Sequence, residues 1–195
     1  IDFAVFPSLQ GGPHNNVIAA LSVALKEALN SDFREYILKV LNNSKKLSEE
    51  LMNLGYIIST NGTDNHLFLL DLKKENITGS KIEYILEQIS ISVNKNTLKG
   101  DKSAISPSGI RIGLCAMTTR GLKTQDCILV ALFIDRAIQI AKNIKCKKLI
   151  DFKNVVNRYL NNQYLEEEKD DAYKLQELKE EVYLFSRKFK NINKL

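Results

Sequence analysis

The chain is expected to form an α/β fold: a small sheet covered by helices, preceded by a strap that belongs to another domain. Two observations carry this. Apolar residues recur at three- and four-residue spacing in several long stretches, the pattern of amphipathic helices. Between them stand four short apolar runs bounded by turn residues, the pattern of brief strands. With 195 residues there is enough chain for one domain with a real core, or one domain plus a piece of another.

The elements follow in order. Ile18, Leu21, Leu25 and Leu29 sit at helical spacing after Pro13, which suits a first turn because its missing N–H costs nothing there. Ser31 reads as the N-cap of a second helix with Phe33, Ile37, Val40, Ser44, Leu47, Leu51 and Leu54 inside, stopped by Gly55. Residues 56–59 and 67–70 are two strands joined as a hairpin-like unit across the turn Asn61-Gly62. Thr78 can cap a third helix carrying Ile82, Ile85, Leu86 and Ile89. Residues 90–93 and 109–114 read as two further strands, separated by a polar loop long enough to suggest function. A helix of about twenty residues follows Gly121, with Ile128, Ala131, Leu132, Ile138 and Ala141 inside. Two amphipathic helices close the chain; the last carries Leu175, Leu178, Val182, Phe185 and Phe189. The acidic stretch at 166–171 reads as a solvated linker and N-terminal helix charge.

Composition narrows the function classes. An apolar share of 44% with 26% charged residues is ordinary for a globular chain. No apolar run approaches the roughly 20 residues needed to span a bilayer. The net charge of +5 is spread among glutamates with no basic block interleaved with aromatics, which argues against a nucleic-acid surface. Three cysteines, Cys115, Cys127 and Cys146, lack metal-ligand spacing and read as reduced thiols; no metal site is expected. The opening Ile1-Asp2-Phe3-Ala4-Val5-Phe6 reads as the middle of a fold, so the chain is expected to be a piece of a longer protein.

Two segments carry the chemistry. Phe6-Pro7-Ser8-Leu9-Gln10-Gly11-Gly12-Pro13-His14 is a glycine turn entering a helix, which offers bare N–H groups to an anion. Ser108-Gly109-Ile110-Arg111-Ile112-Gly113 places one arginine between apolar neighbours, and period-two alternation points it to the face opposite both isoleucines. Read locally, Arg111 is either a structural ion pair or a buried guanidinium meant for a carboxylate. His14 is either a polar helix-start residue or a site residue, and His66 a structural histidine opening a strand.

Together with Thr63-Asp64-Asn65-His66 and Asn94-Lys95-Asn96-Thr97, these segments resemble the C-terminal part of serine hydroxymethyltransferase, from the first residue to about Ile144. The resemblance implies a fold-type I pyridoxal-phosphate enzyme. Residues 1–30 would end the large cofactor-binding domain and form a connecting helix, and 31–195 would be the C-terminal small domain. It implies that Arg111 holds the amino-acid carboxylate in a two-pronged bond. The N–H groups of Gly11 and Gly12 would reach the cofactor phosphate of a neighbouring subunit, in a homodimer or a tetramer of the same chain. Asn96 would meet the pterin edge of tetrahydrofolate, with Ser103, Ala104 and Ile105 beside it. The reaction implied is serine plus tetrahydrofolate to glycine plus 5,10-methylenetetrahydrofolate, with a cytoplasmic location expected and a mitochondrial one as the alternative.

Two departures bear on this. Leu114-Cys115 stands where most relatives show Thr-Pro, with Cys115 expected as a packed thiol. No lysine lies in the threonine-rich context that family members use to attach the cofactor, so no catalytic residue is assigned and the chain alone is expected to be inactive. The competing readings are a non-catalytic interaction or RNA-binding module derived from this fold, and a pyridoxal-phosphate enzyme with another amino-acid substrate.

Overall fold

In the computed structural model, which describes residues 1–190, the chain divides into two compact units, Ile1–Leu38 and Lys39–Leu195. The first unit opens with an irregular helical turn at Ala4–Leu9 that contains a cis Phe6–Pro7 peptide. Helix α1 (Asn15–Ala28) follows, and α2 (Ser31–Asn53) begins here and runs into the second unit. Pro13 does not occupy the first turn of α1. His14 holds the N-cap position, and its carbonyl accepts the N–H groups of Val17 and Ile18. The apolar stripe of α1, from Ile18 to Leu29, is exposed.

The second unit is built on a four-stranded antiparallel sheet in the order β1-β2-β4-β3. Its strands are β1 (Ile57–Ile58), β2 (Leu67–Asp71), β3 (Asn94–Asn96) and β4 (Gly109–Gly113). The hairpin-like pairing of the first two strands is observed, with Ile58 opposite Leu70. Asn61 and Gly62 both adopt positive φ, 54° and 133°, in the turn between them. Alternation then sorts the side chains. Phe68, Leu70, Ile110 and Ile112 are buried on one face, while Leu69 and Arg111, paired across β2 and β4, lie on the other.

Helices pack against the buried face and against one another. They are α3 (Gly79–Gln88), the short α4 (Cys115–Arg120), α5 (Asp126–Asn143), α6 (Leu149–Leu160) and α7 (Lys169–Ser186). Ile82, Ile85 and Leu86 of α3, Ile134 and Ile138 of α5, Phe152 of α6 and Leu175 and Leu178 of α7 merge with Leu47 and Leu51 of α2 into one core. Burying a side chain of this size stabilises by about 1.5–3 kcal/mol, so these contacts set the unit's stability.

Several helix ends share one pattern. At Gly55, Ser90 and Gly121 the chain turns left-handed, with φ of 93°, 68° and 105°. Each is followed by an N–H that reaches back five residues: Tyr56 to Leu51, Ile91 to Leu86 and Leu122 to Met117. This closes the orphan carbonyls and brings an apolar residue against the helix it ends.

That geometry overturns one expected strand. Residues 90–93 do not form one, because Ser90 is the left-handed stop of α3 and Ile91 is tied to Leu86; pairing starts only at Asn94. Other differences concern burial. Ile128 and Leu132, expected inside α5, are exposed, and Cys127, Phe133, Ala137 and Ile140 are buried instead. Phe33 and Leu54 at the ends of α2 are also exposed. Thr78 takes the N-cap position of α3 without a side-chain capping bond. The acidic stretch is not wholly solvated: Glu168 pairs with Arg158 at 2.8 Å and accepts the Leu165 N–H. Among the described residues no helix is long and apolar enough to cross a membrane.

Candidate functional site

The site is built at the end of β4. Alternation along Gly109-Ile110-Arg111-Ile112-Gly113 buries both isoleucines and turns Arg111 outward, as the sequence leads one to expect. The expectation of a buried guanidinium is corrected, since Arg111 is exposed within this chain. The structural ion pair is absent as well: among the described residues Arg111 contacts no carboxylate. Its Nη2 donates to Oδ1 of Asn94 at 3.3 Å.

Arg111 lines a cleft of about 450 Å³ with His66, Ser92, Asn94, Cys115 and Ala116. His66 enters it where β2 begins, and its carbonyl accepts the Leu114 N–H at 3.0 Å, tying the start of β2 to the end of β4. Thr63 and Asn65 shape the approach: the Thr63 hydroxyl bonds the Leu67 carbonyl at 2.6 Å, and Asn65 Oδ1 accepts the Leu67 N–H at 3.1 Å. Cys115 opens α4 as a half-buried thiol at the cleft wall.

Asn96 stands two residues from Asn94 on β3, half-buried, with its amide nitrogen donating to the Thr97 carbonyl at 2.8 Å. Ser103, Ala104 and Ile105 are exposed in the loop that follows. The loop is tied down from within. Asp101 accepts the N–H groups of Leu98 at 2.9 Å and Ser108 at 2.8 Å. The Ser108 hydroxyl faces the same carboxylate without completing a well-formed bond. That hydroxyl and the two amides hold the Asp101 carboxyl down at about 2. Ser80 at the start of α3 donates to the Ile105 carbonyl at 2.8 Å.

Gly11 and Gly12 lie in the first unit. A Cβ added to either would meet nothing within 4 Å, and neither has a positive φ. Neither crowding nor backbone strain inside this chain therefore calls for glycine. What the pair offers is open main chain with no side chain to limit close approach.

Sequence reasoning did not find the Asn94–Arg111 contact, nor the bond from the Lys95 N–H to Glu83 Oε1 at 2.9 Å that anchors β3 to α3. Seventeen and twelve residues separate these partners, and only the sheet register brings them together. Among the described residues no cluster of His, Cys, Asp and Glu is arranged to hold a metal ion.

A small antiparallel sheet that presents one arginine on one face, with helices packed on the other, defines an α/β domain. The chain belongs to the serine hydroxymethyltransferase family, whose model matches residues 1–134. It is 46% identical over 192 residues to serine hydroxymethyltransferase of Bombyx mori, across 97% of this chain and 39% of that protein. To the mitochondrial enzyme of Saccharomyces cerevisiae it is 49% identical over 145 residues, 74% of this chain and 30% of the relative. To the cytosolic enzyme of Neurospora crassa it is 42% identical over 195 residues, 97% and 38% respectively. The chain thus spans less than two fifths of the length of these relatives. Its sheet and helices fit the C-terminal small domain of this fold-type I pyridoxal-phosphate family.

Proposed function

We propose that the chain supplies the substrate-carboxylate site, and part of the cofactor and folate sites, of an enzyme that interconverts serine plus tetrahydrofolate with glycine plus 5,10-methylenetetrahydrofolate. The observation that carries this reading is Arg111, an exposed guanidinium on β4 that no carboxylate of the described chain neutralises. An arginine fork binds a carboxylate through two parallel N–H···O bonds and so fixes its plane as well as its position. Held there, an amino acid keeps one orientation about its α-carbon, and that orientation decides which bond reacts.

Gly11 and Gly12 fit a phosphate group through bare amides at the entrance to α1, in a homodimer or a tetramer where one chain completes its neighbour's site. Pyridoxal phosphate bound there supplies an electron sink for breaking the bond to the hydroxymethyl carbon. Asn96, with a donor and an acceptor on one amide, would pair with the pterin edge of tetrahydrofolate, and Ser103, Ala104 and Ile105 would lie beside it. Residues 1–30 would complete a larger cofactor-binding domain and 31–195 form the small domain. The chain alone would be inactive, since none of its lysines lies in the attachment context the family uses. Relatives carry both cytosolic and mitochondrial names, and a cytoplasmic location is the reading preferred here, with the mitochondrial one as alternative.

The test is Arg111→Ala in the full-length protein. Serine binding should weaken severely while the absorbance of bound cofactor is retained. Serine affinity equal to that of the parent would overturn the carboxylate role.

A further inference from the structure

We propose that Asn94 is a positioning residue for Arg111, and that β3 is the rail which sets the guanidinium's aim; this rests on the carboxylate role given to Arg111 above. Asn94 lies directly opposite Arg111 in the β3–β4 register. Its Oδ1 accepts one N–H from Nη2 at 3.3 Å. Five N–H donors sit on a guanidinium, so one bond to a neutral amide leaves a fork free for a two-oxygen anion. An aspartate at the same place would instead neutralise the cation and compete with the ligand. The uncharged acceptor restrains the long side chain without silencing it, which lowers the ordering cost of binding.

The strand that carries Asn94 is only three residues long and lies at the sheet edge, where it would fray without support. Glu83 of α3 supplies that support by accepting the Lys95 N–H at 2.9 Å. With Lys95 turned to the other side, Asn94 and Asn96 project from the same face of β3. The residue that aims Arg111 and the residue proposed for folate are therefore fixed by one anchored strand.

The full-length protein with Asn94→Ala, Asn94→Ser and Asn94→Asp, alongside Arg111→Ala, tests this through KM for serine and kcat. Asn94→Ala should raise the serine KM about tenfold with little change in kcat, the loss of one bond to a charged group. Asn94→Ser, which keeps an acceptor oxygen at shorter reach, should fall between it and the parent. Asn94→Asp should raise KM further than Asn94→Ala, because its carboxylate occupies the guanidinium. A merely structural asparagine gives no such charge order. Equal KM for the Asp and Ala variants, or parental KM in both while Arg111→Ala loses serine, overturns the positioning role alone. Parental serine KM in Arg111→Ala overturns the carboxylate role as well. If Asn94→Ala does not fold, the ranking of Ser against Asp decides.

Discussion

Gly79 is the first residue of α3, and its backbone packs directly on the start of β4. A Cβ at this position would stand 2.1 Å from the Gly109 carbonyl oxygen, 2.9 Å from its carbonyl carbon and 3.3 Å from the Pro107 carbonyl oxygen. The first two distances are far inside van der Waals contact, and the atoms met are main chain, which cannot swing away. Gly79→Ala must therefore push α3 off β4 and strain the Gly79 N–H bond to Pro107, now 2.7 Å. Overpacking of this kind costs about 1–3 kcal/mol and a weakened hydrogen bond about 1 kcal/mol. The lost backbone freedom of glycine returns about 0.4–1 kcal/mol. The net expectation is about 1–3.5 kcal/mol of local destabilisation. Hydrogen exchange of the α3 and β4 amides in the full-length protein should then quicken by roughly fivefold to several-hundredfold. Gly113→Ala is the control, since its nearest contacts would be ordinary ones at 3.9 Å. Without the close approach, alanine at a helix start would be neutral or stabilising. Unchanged or slower exchange in Gly79→Ala would refute the packing argument.

Further consequences can be checked singly. Asp101 is held below its ordinary carboxyl value of 3.8, so its contribution to the loop is full above that value and is lost as pH falls towards 2. Protection of the Leu98 and Ser108 amides, relative to the free-peptide exchange rate at each pH, should fall across that acid window, and Asp101→Asn should show the lower protection at neutral pH already. Asn43 is buried, donating to Thr118 Oγ1 at 2.9 Å and the Leu122 carbonyl at 3.0 Å and accepting from Thr124 at 3.1 Å. Asn43→Ala leaves those groups unpaired and should cost about 2–4 kcal/mol in urea unfolding. Burial pushes the Cys127 thiol up to about 12, with Asp126 adding to it. A thiol reagent at pH 8 should therefore label the half-buried Cys115 and Cys146 well before Cys127.

What could be read from the sequence was whatever local periodicity encodes. Helices α3, α5, α6 and α7 follow from their apolar spacing, and the outward turn of Arg111 follows from alternation with Ile110 and Ile112. Glycine at 55 announced its helix stop because positive φ favours it. Ser90 makes the same stop without that signal, and a strand was expected where the helix ends. Burial of Cys127 in place of Ile128 depends on which face of α5 meets α3 and α7, which no single helix pattern states. The close approach of Gly79 and Gly109 arises from the packing of α3 on β4, and the aim that Asn94 gives Arg111 from the sheet register; neither residue pair is near in sequence.

Serine binding turns on the fork of Arg111, and Arg111→Lys isolates that fork because it keeps the charge and removes only the paired donors. Calorimetric titration of the full-length Arg111→Lys protein with serine should give an affinity at least about tenfold weaker than the parent, at equal cofactor content. Equal affinity in the lysine variant would mean that a point charge suffices, and the two-pronged grip would be wrong.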